Sequence, residues 1–495
     1  MTAPLFTEAE WDFSILDRTF KAIEDIALNE LKLDVYPNQI EVISSEQMLD
    51  AYSSLGMPLM YNHWSFGKLF AREETMYRAG YSALAYEIVI NSNPCISYLL
   101  EENTMTMQAL VMAHAAFGHN HFFKNNYLFR QWTNADGILD YLAFAKRYIT
   151  ACEERYGRDD VEAILDSAHA IMDQGVFRYR RPPRPSKERV AEKQRKRAEY
   201  EDEAYNDLWR TLPASLEPPA TPASPDPEDE GGADMKLPEE NLLYFLEKNS
   251  PSLKPWQREM LRIVRNLAQY FYPQRQTKVM NEGCATFVHF TIMNALFDRG
   301  LITDGAIFEF LHSHTSVIFQ PEFDDRRYYG LNPYALGYAM MADIRRICEK
   351  PTDEDRDWFP HIAGTGDYMA ALKEAWANYR DESFIEQFLS PKVMRDFRLF
   401  GLHDKADDGA YKVSAIHNET GYRKVRSTLA RQYDVGTADP NIQVVGANLR
   451  GDRKLLLEHR MHRAIPLQYN AREQVMTHIE RLWGHEVELT EVAGE

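Results

Sequence analysis

Residues 97–129, SYLLEENTMTMQALVMAHAAFGHNHFFKNNYLF, constrain the chain most. They form an apolar, helix-prone segment carrying Glu101, Glu102, His114, His119, His121 and Lys124. Three of the chain's 15 histidines fall between 114 and 121. Polar groups buried without partners are costly, so such a segment has to meet complementary groups from elsewhere. The stretch best able to supply them is MNEGCATFVHF, residues 280–290, with Glu282 and His289. The expectation is that the two stretches meet and form a metal-dependent or acid–base site.

Helix geometry sharpens this. In an α-helix, residues five apart diverge by about 140°, whereas residues four apart diverge by about 40°. His114 and His119 therefore share a metal only if the helix is interrupted, and Gly118 is the expected break. An extended chain beyond it would put His119 and His121 on one face. Glu282 and His289, seven apart on one helix, are separated by about 10.5 Å along the axis. Glu282 is thus the expected ligand and His289 a second-layer or substrate group. Imidazole and carboxylate donors without thiolate suit Zn²⁺, Mn²⁺ or Fe²⁺. The competing reading is a buried polar network in which His and Glu simply satisfy one another.

Elsewhere, residues 8–30 and 137–176 show helical periodicity, the latter as two helices joined near Gly157. YPNQIEVISSEQMLDAYSSLG reads as a turn and a helix, and YEIVINSNP as a buried strand with Glu87 alone among apolar residues. Residues 178–210 are mixed-charge and helix-prone, and 213–241 are Pro- and acid-rich, a flexible excursion. In FEFLHSHTSVIFQP, His312 and His314 share a face if extended; with Asn332 and Tyr334 they are candidates to line the same cleft. From about 405 onward, strands such as NIQVVGANLR and EVELTEV alternate with helices. The fold class expected is mainly α with a small α+β C-terminal domain. The division is 1–180 and 242–404 for the main domain, 181–241 for the insertion and 405–495 for the C-terminal part. His459 and His462 read as solvated strand residues.

The net charge of −19 disfavours nucleic acid and anionic lipid as partners. Four widely spaced cysteines without a CxxC pair predict buried thiols rather than disulfides. No apolar run is long enough for a membrane span, and a cytoplasmic protein is expected.

HWSFGK (63–68), YEIVINSNP (86–94), GHNHFFKNN (118–126), MNEG (280–283), HSHTSVIFQP (312–321), NPYALGY (332–338) and DESFIEQFLSPKVMRDFRLF (381–400) together resemble the SpoVR family. The resemblance implies a role in a stress or sporulation-type module, with a PrkA-like serine kinase and a von Willebrand factor A-type protein as partners. MNEGCAT is also similar to the NEG segment of gluzincin-type zinc peptidases, which implies Glu282 as third ligand beside His114 and His119. The departure is that the histidines are five apart and Ala115 stands where those enzymes have a general base. Glu102 or Glu87 would have to replace it, with His121 as a further proton carrier. Two functions follow from these residues. One is a metal-dependent hydrolase of a peptide or cell-wall precursor amide, with His289, His312, His314, Asn332 and Tyr334 lining the cleft. The other is a non-catalytic regulatory or scaffold protein.

Overall fold

The computed structural model describes residues 3–53, 60–61, 63–64, 87–178, 237–403, 412–449, 451–462 and 465–494. The charged helix expected over 178–210 and most of the acidic excursion lie outside these residues. The last part of that excursion is packed, not flexible: Glu239 and Asn241 are buried, and Glu239 bridges to Val444.

The described residues are mainly helical, with a small α+β unit at the C-terminal end. Two apolar cores flank a three-stranded sheet of β1 (Asn38–Ile43), β2 (Glu87–Ile90) and β3 (Cys95–Leu100), in the order β1-β3-β2. Strand β1 is parallel to β3, and β2 is antiparallel to it. The NQIEVI segment, expected within a turn and helix, is therefore a strand; the helix that follows spans Ser45–Ser53. Alternation along β3 splits its side chains between the cores. Leu99 belongs to the first core, and Ile96, Tyr98 and Leu100 to the second.

The first core is built around α5 (Lys278–Asp298), which is buried on nearly all sides. Around it lie α1 (Phe13–Asp25), α2 (Met105–Met112), α3 (Asn120–Asn125), α6 (Asp304–Val317) and α7 (Pro333–Glu349). The second core joins α4 (Pro255–Gln276), the helices Ile138–Tyr156, Arg158–Ala170 and Leu242–Asn249, and the C-terminal unit.

Strands β4 (Gly401–His403) and β5 (Lys412–Ala415) form a hairpin, and residues Ala415 to Ala430 still contribute to the first core. Strands β6 (Asn441–Ala447), β7 (Leu455–Met461) and β8 (Val487–Ala493) form the last sheet, with α8 (Tyr469–Trp483) crossing from β7 to its parallel neighbour β8. His459 in β7 is buried against Glu491 at 3.2 Å, contrary to the solvated reading, whereas His462 is exposed. Among the described residues no helix is long and apolar enough to cross a membrane.

Candidate metal centre

Between α2 and α3 the helix does not break. Residues Ala113–His119 form a π-helical stretch, continuous with both neighbours. A π turn closes from residue i to i+5, so side chains five apart stack on one face. This corrects the expected interruption at Gly118 and supplies another route to the same alignment of His114 and His119. Gly118 serves a different purpose. A Cβ there would lie 2.5 Å from the Ala285 Cα, so its hydrogen lets the π turn pass against the α5 backbone. On another side of α5, a Cβ on Gly283 would lie 2.6 Å from the Gly337 carbonyl carbon of α7. These two close approaches bring the π stretch and α7 against α5, so that groups from three helices gather.

The fourth contributor comes from the sheet. Glu87 pairs with Leu99 in the β2–β3 ladder, and directly opposed residues share a sheet face, so Glu87 turns toward the first core. There its Oε1 lies 3.2 Å from His114 Nε2 and 3.9 Å from His119 Nε2. Glu282 Oε2 lies 3.9 Å from His114 Nε2 and 3.6 Å from His119 Nε2. Glu87, His114 and His119 offer ligand atoms within 4.8 Å of one another. The two carboxylates and two imidazoles are all more than four-fifths buried.

The proton positions follow from valence. Asn281 Oδ1 accepts from His119 Nδ1 at 2.9 Å. A neutral imidazole carries one N–H, so His119 Nε2 then presents a lone pair to the two carboxylates. On the other side, His114 Nδ1 meets His289 Nδ1 at 2.8 Å, and His289 Nε2 meets His314 Nδ1 at 3.0 Å. If His114 Nε2 keeps its lone pair for an ion, its Nδ1–H donates to His289 Nδ1. The His289 Nε2–H in turn donates to His314. Backing of this kind fixes ring orientation and tautomer in metal-binding histidines.

Burial, aided by the nearby Glu282 charge, pushes the Glu87 carboxyl well above its usual range. Burial, with His119 and His289 beside it, pushes His114 well below the usual imidazole value. His289 moves the same way, and burial holds His314 at about 4. These shifts all run toward the neutral forms, as burial of Glu87, His114, His289 and His314 requires. Among the described residues, Glu87 Oε2 and Glu282 Oε2 are buried and lack a hydrogen-bond partner. The donor set, the orphaned oxygens and the backed imidazoles fit a divalent ion such as Zn²⁺, Mn²⁺ or Fe²⁺.

The cluster borders a cavity through Glu282. Asn281 and Glu282 form part of the wall of a cavity of about 370 Å³ whose other walls come from α4 and residues 172–176. Tyr334 stacks near the His114 ring, 6.4 Å between centroids. Asp381 caps the first turn of α5, accepting from the Val279 and Met280 amides at 2.8 Å. Burial still pushes its carboxyl up to about 7.

His114, His119, Glu282, His289, His314 and Tyr334 are thus gathered, and four other candidates are not. Glu102 sits on an exposed turn, because the chain leaves β3 at Leu100 and α2 begins only after the Thr104 cap. His121 faces away, because the helix continues instead of becoming extended; its Nδ1 accepts from the Asp34 amide at 3.0 Å and its ring meets Trp376 edge-on. His312 is exposed, because α6 is helical there and residues two apart diverge. Asn332 caps α7 through the Tyr334 amide and donates to the Val317 carbonyl. Of the groups not first ranked as ligands or cleft residues, Glu87 was signalled by its isolation in an apolar run. Asn281 was signalled only by its place in MNEG.

A family model described as SpoVR like protein matches residues 10–438, and one described as SpoVR-like C-terminal domain matches residues 440–494. The chain is similar to the Escherichia coli (strain K12) protein named "Uncharacterized protein YcgB". The two are 55% identical over 488 residues, which cover 99% of this chain and 94% of that protein. No solved structure matches the chain.

Proposed function

This chain belongs to the SpoVR-like protein family, and we propose that it is a metal-dependent hydrolase acting on an amide bond of a peptide or cell-wall precursor. In this reading His114, His119 and Glu87 hold the ion, and Glu282, which borders both the cluster and the cavity, takes the proton from the attacking water. The observation that carries it is two carboxylates, each with a buried oxygen left without a hydrogen-bond partner, converging on the Nε2 atoms of His114 and His119, with Glu282 also bordering a cavity. A divalent ion there would supply Lewis acidity, polarising a carbonyl and acidifying water.

The chain's own groups do the rest. Asn281 and His289 hold the two imidazoles with lone pairs inward. The apolar core behind α5 excludes bulk water from that side.

Elemental analysis of purified protein tests the reading. One divalent ion per chain, lost in the His114→Ala variant, supports it. Metal-free protein that folds identically with and without His114 removes it and leaves the regulatory or scaffold function, with the kinase and von Willebrand factor A-type partners that family resemblance implies.

A further inference from the structure

The cavity beside Glu282 has a polarity that the hydrolase reading does not use. Its floor is apolar: Val176, Ala268 and Tyr272 are buried, and Met172 and Phe271 half-buried. Two cations reach its wall, and they differ. Arg275 is already held by Asp439 at 2.5 Å and by Asp173 at 3.5 Å. Lys278 is exposed on the first turn of α5 and makes no ion pair or hydrogen bond through its ammonium among the described residues. It precedes Glu282 by four residues, which sets the two on one helix face about 6 Å apart along the axis.

We propose that this cavity takes the free carboxylate of the substrate at Lys278 and presents the adjoining amide carbon to the Glu87–His114–His119–Glu282 cluster. The substrate class is then an acylated amino acid or short peptide, cleaved next to its C-terminal carboxylate. This inference rests on the hydrolase reading and specifies what that hydrolase accepts.

Three features carry it. A volume of about 370 Å³ is at the small end of ligand sites, enough for one or two residues and too small for a polymer. The floor offers an apolar surface for the terminal side chain. A terminal carboxylate stands one residue, about 3.8 Å between Cα positions, from the bond to be cut. A flexible lysine rooted one turn from Glu282 spans that distance. Of the two cations at the wall, Lys278 is the one without an acidic partner among the described residues, since Arg275 is held by Asp439 and Asp173. The reaction balances without a redox partner. Water oxygen bonds to the acyl carbon, the C–N bond breaks, and the departing nitrogen takes a proton and leaves as the free amine of the amino acid.

The test compares two zinc-binding probes on the zinc-loaded full-length protein by calorimetry: propanohydroxamate, and succinate monohydroxamate, which adds a carboxylate. The expected result is about tenfold tighter binding of the carboxylate-bearing probe, the scale of a hydrogen bond to a charged group. Lys278→Ala should erase the preference and Lys278→Arg retain it; the side chain is exposed, so neither variant threatens the fold. Protein that binds zinc but treats the probes alike, or keeps its preference in Lys278→Ala, overturns this inference alone. Protein that binds none of Zn²⁺, Mn²⁺ and Fe²⁺ overturns the hydrolase reading and this inference with it.

Discussion

Two buried carboxylate pairs in this molecule have opposite partners. Asp343 and Asp355 share Arg346, which donates to Asp343 Oδ1 at 2.6 Å and to both oxygens of Asp355 at 2.6 and 2.7 Å. Thr352 adds its amide and hydroxyl to Asp355, both at 2.7 Å. Burial alone would raise the Asp355 carboxyl, but Arg346 and Thr352 prevail and hold it at about 2. Glu87 and Glu282 are somewhat less enclosed, 17% exposed against 6% and 3%, yet they face imidazoles, and burial drives Glu87 the other way. The difference is a permanent cation. A guanidinium fixed in sequence closes the first pair, whereas the second pair has no Arg or Lys among its described partners, and the proposed hydrolase would draw its cation from solution.

The largest effect should follow from giving the first pair the condition of the second. Arg346→Met strands two carboxylates and should lower the unfolding free energy in urea by about 3–5 kcal/mol. A loss under 1 kcal/mol would show that the two pairs are not distinguished by their cation. The converse change, Glu87→Gln with Glu282→Gln, replaces the two carboxyls that carry orphaned oxygens with amides. In EDTA it should raise stability by about 1–3 kcal/mol while abolishing the rise in melting temperature on adding zinc. Lower stability than the parent in EDTA would contradict this.

His289→Ala should weaken metal binding by about 10–100-fold, the usual cost of removing a ligand's backing group, as read in a competition titration with a chelator. An unchanged affinity would make the imidazole chain behind His114 irrelevant to the site.

Acid titration of stability separates a carboxylate held by a cation from one held by main-chain amides alone by sign. Asp355 is depressed to about 2 from 3.8, so its contribution is present above pH 3.8 and lost as pH falls toward 2; Asp355→Asn should flatten that limb. Asp381 is raised to about 7 from 3.8, so its contribution is present below pH 3.8 and lost as pH rises toward 7; Asp381→Asn should flatten the opposite limb. Smallest of all, Glu102→Ala should change stability by no more than about 0.5 kcal/mol and leave metal binding alone. A lost ion in that variant would return Glu102 to the site.

Much of this was legible in the chain. The concentration of histidines at 114–121, the MNEG segment and the lone Glu87 name the groups, because chemistry-bearing residues stand out against apolar surroundings. The divergence of His312 from His314 and of His121 from His119 was not legible. Both depended on whether the chain stayed helical, and short apolar runs do not decide that by composition.

By itself, then, the sequence determined the helical class, the small α+β end and the inventory of imidazoles and carboxylates, since periodicity and residue type are local properties. The tertiary structure alone decided which of them meet. The π turn lies where its helix passes closest to α5, Gly118 against Ala285, and α7 meets α5 through Gly283 and Gly337. Glu87 faces the histidines only because its strand pairs in register with β3. Both are agreements between residues distant in the chain, and no single window contains them.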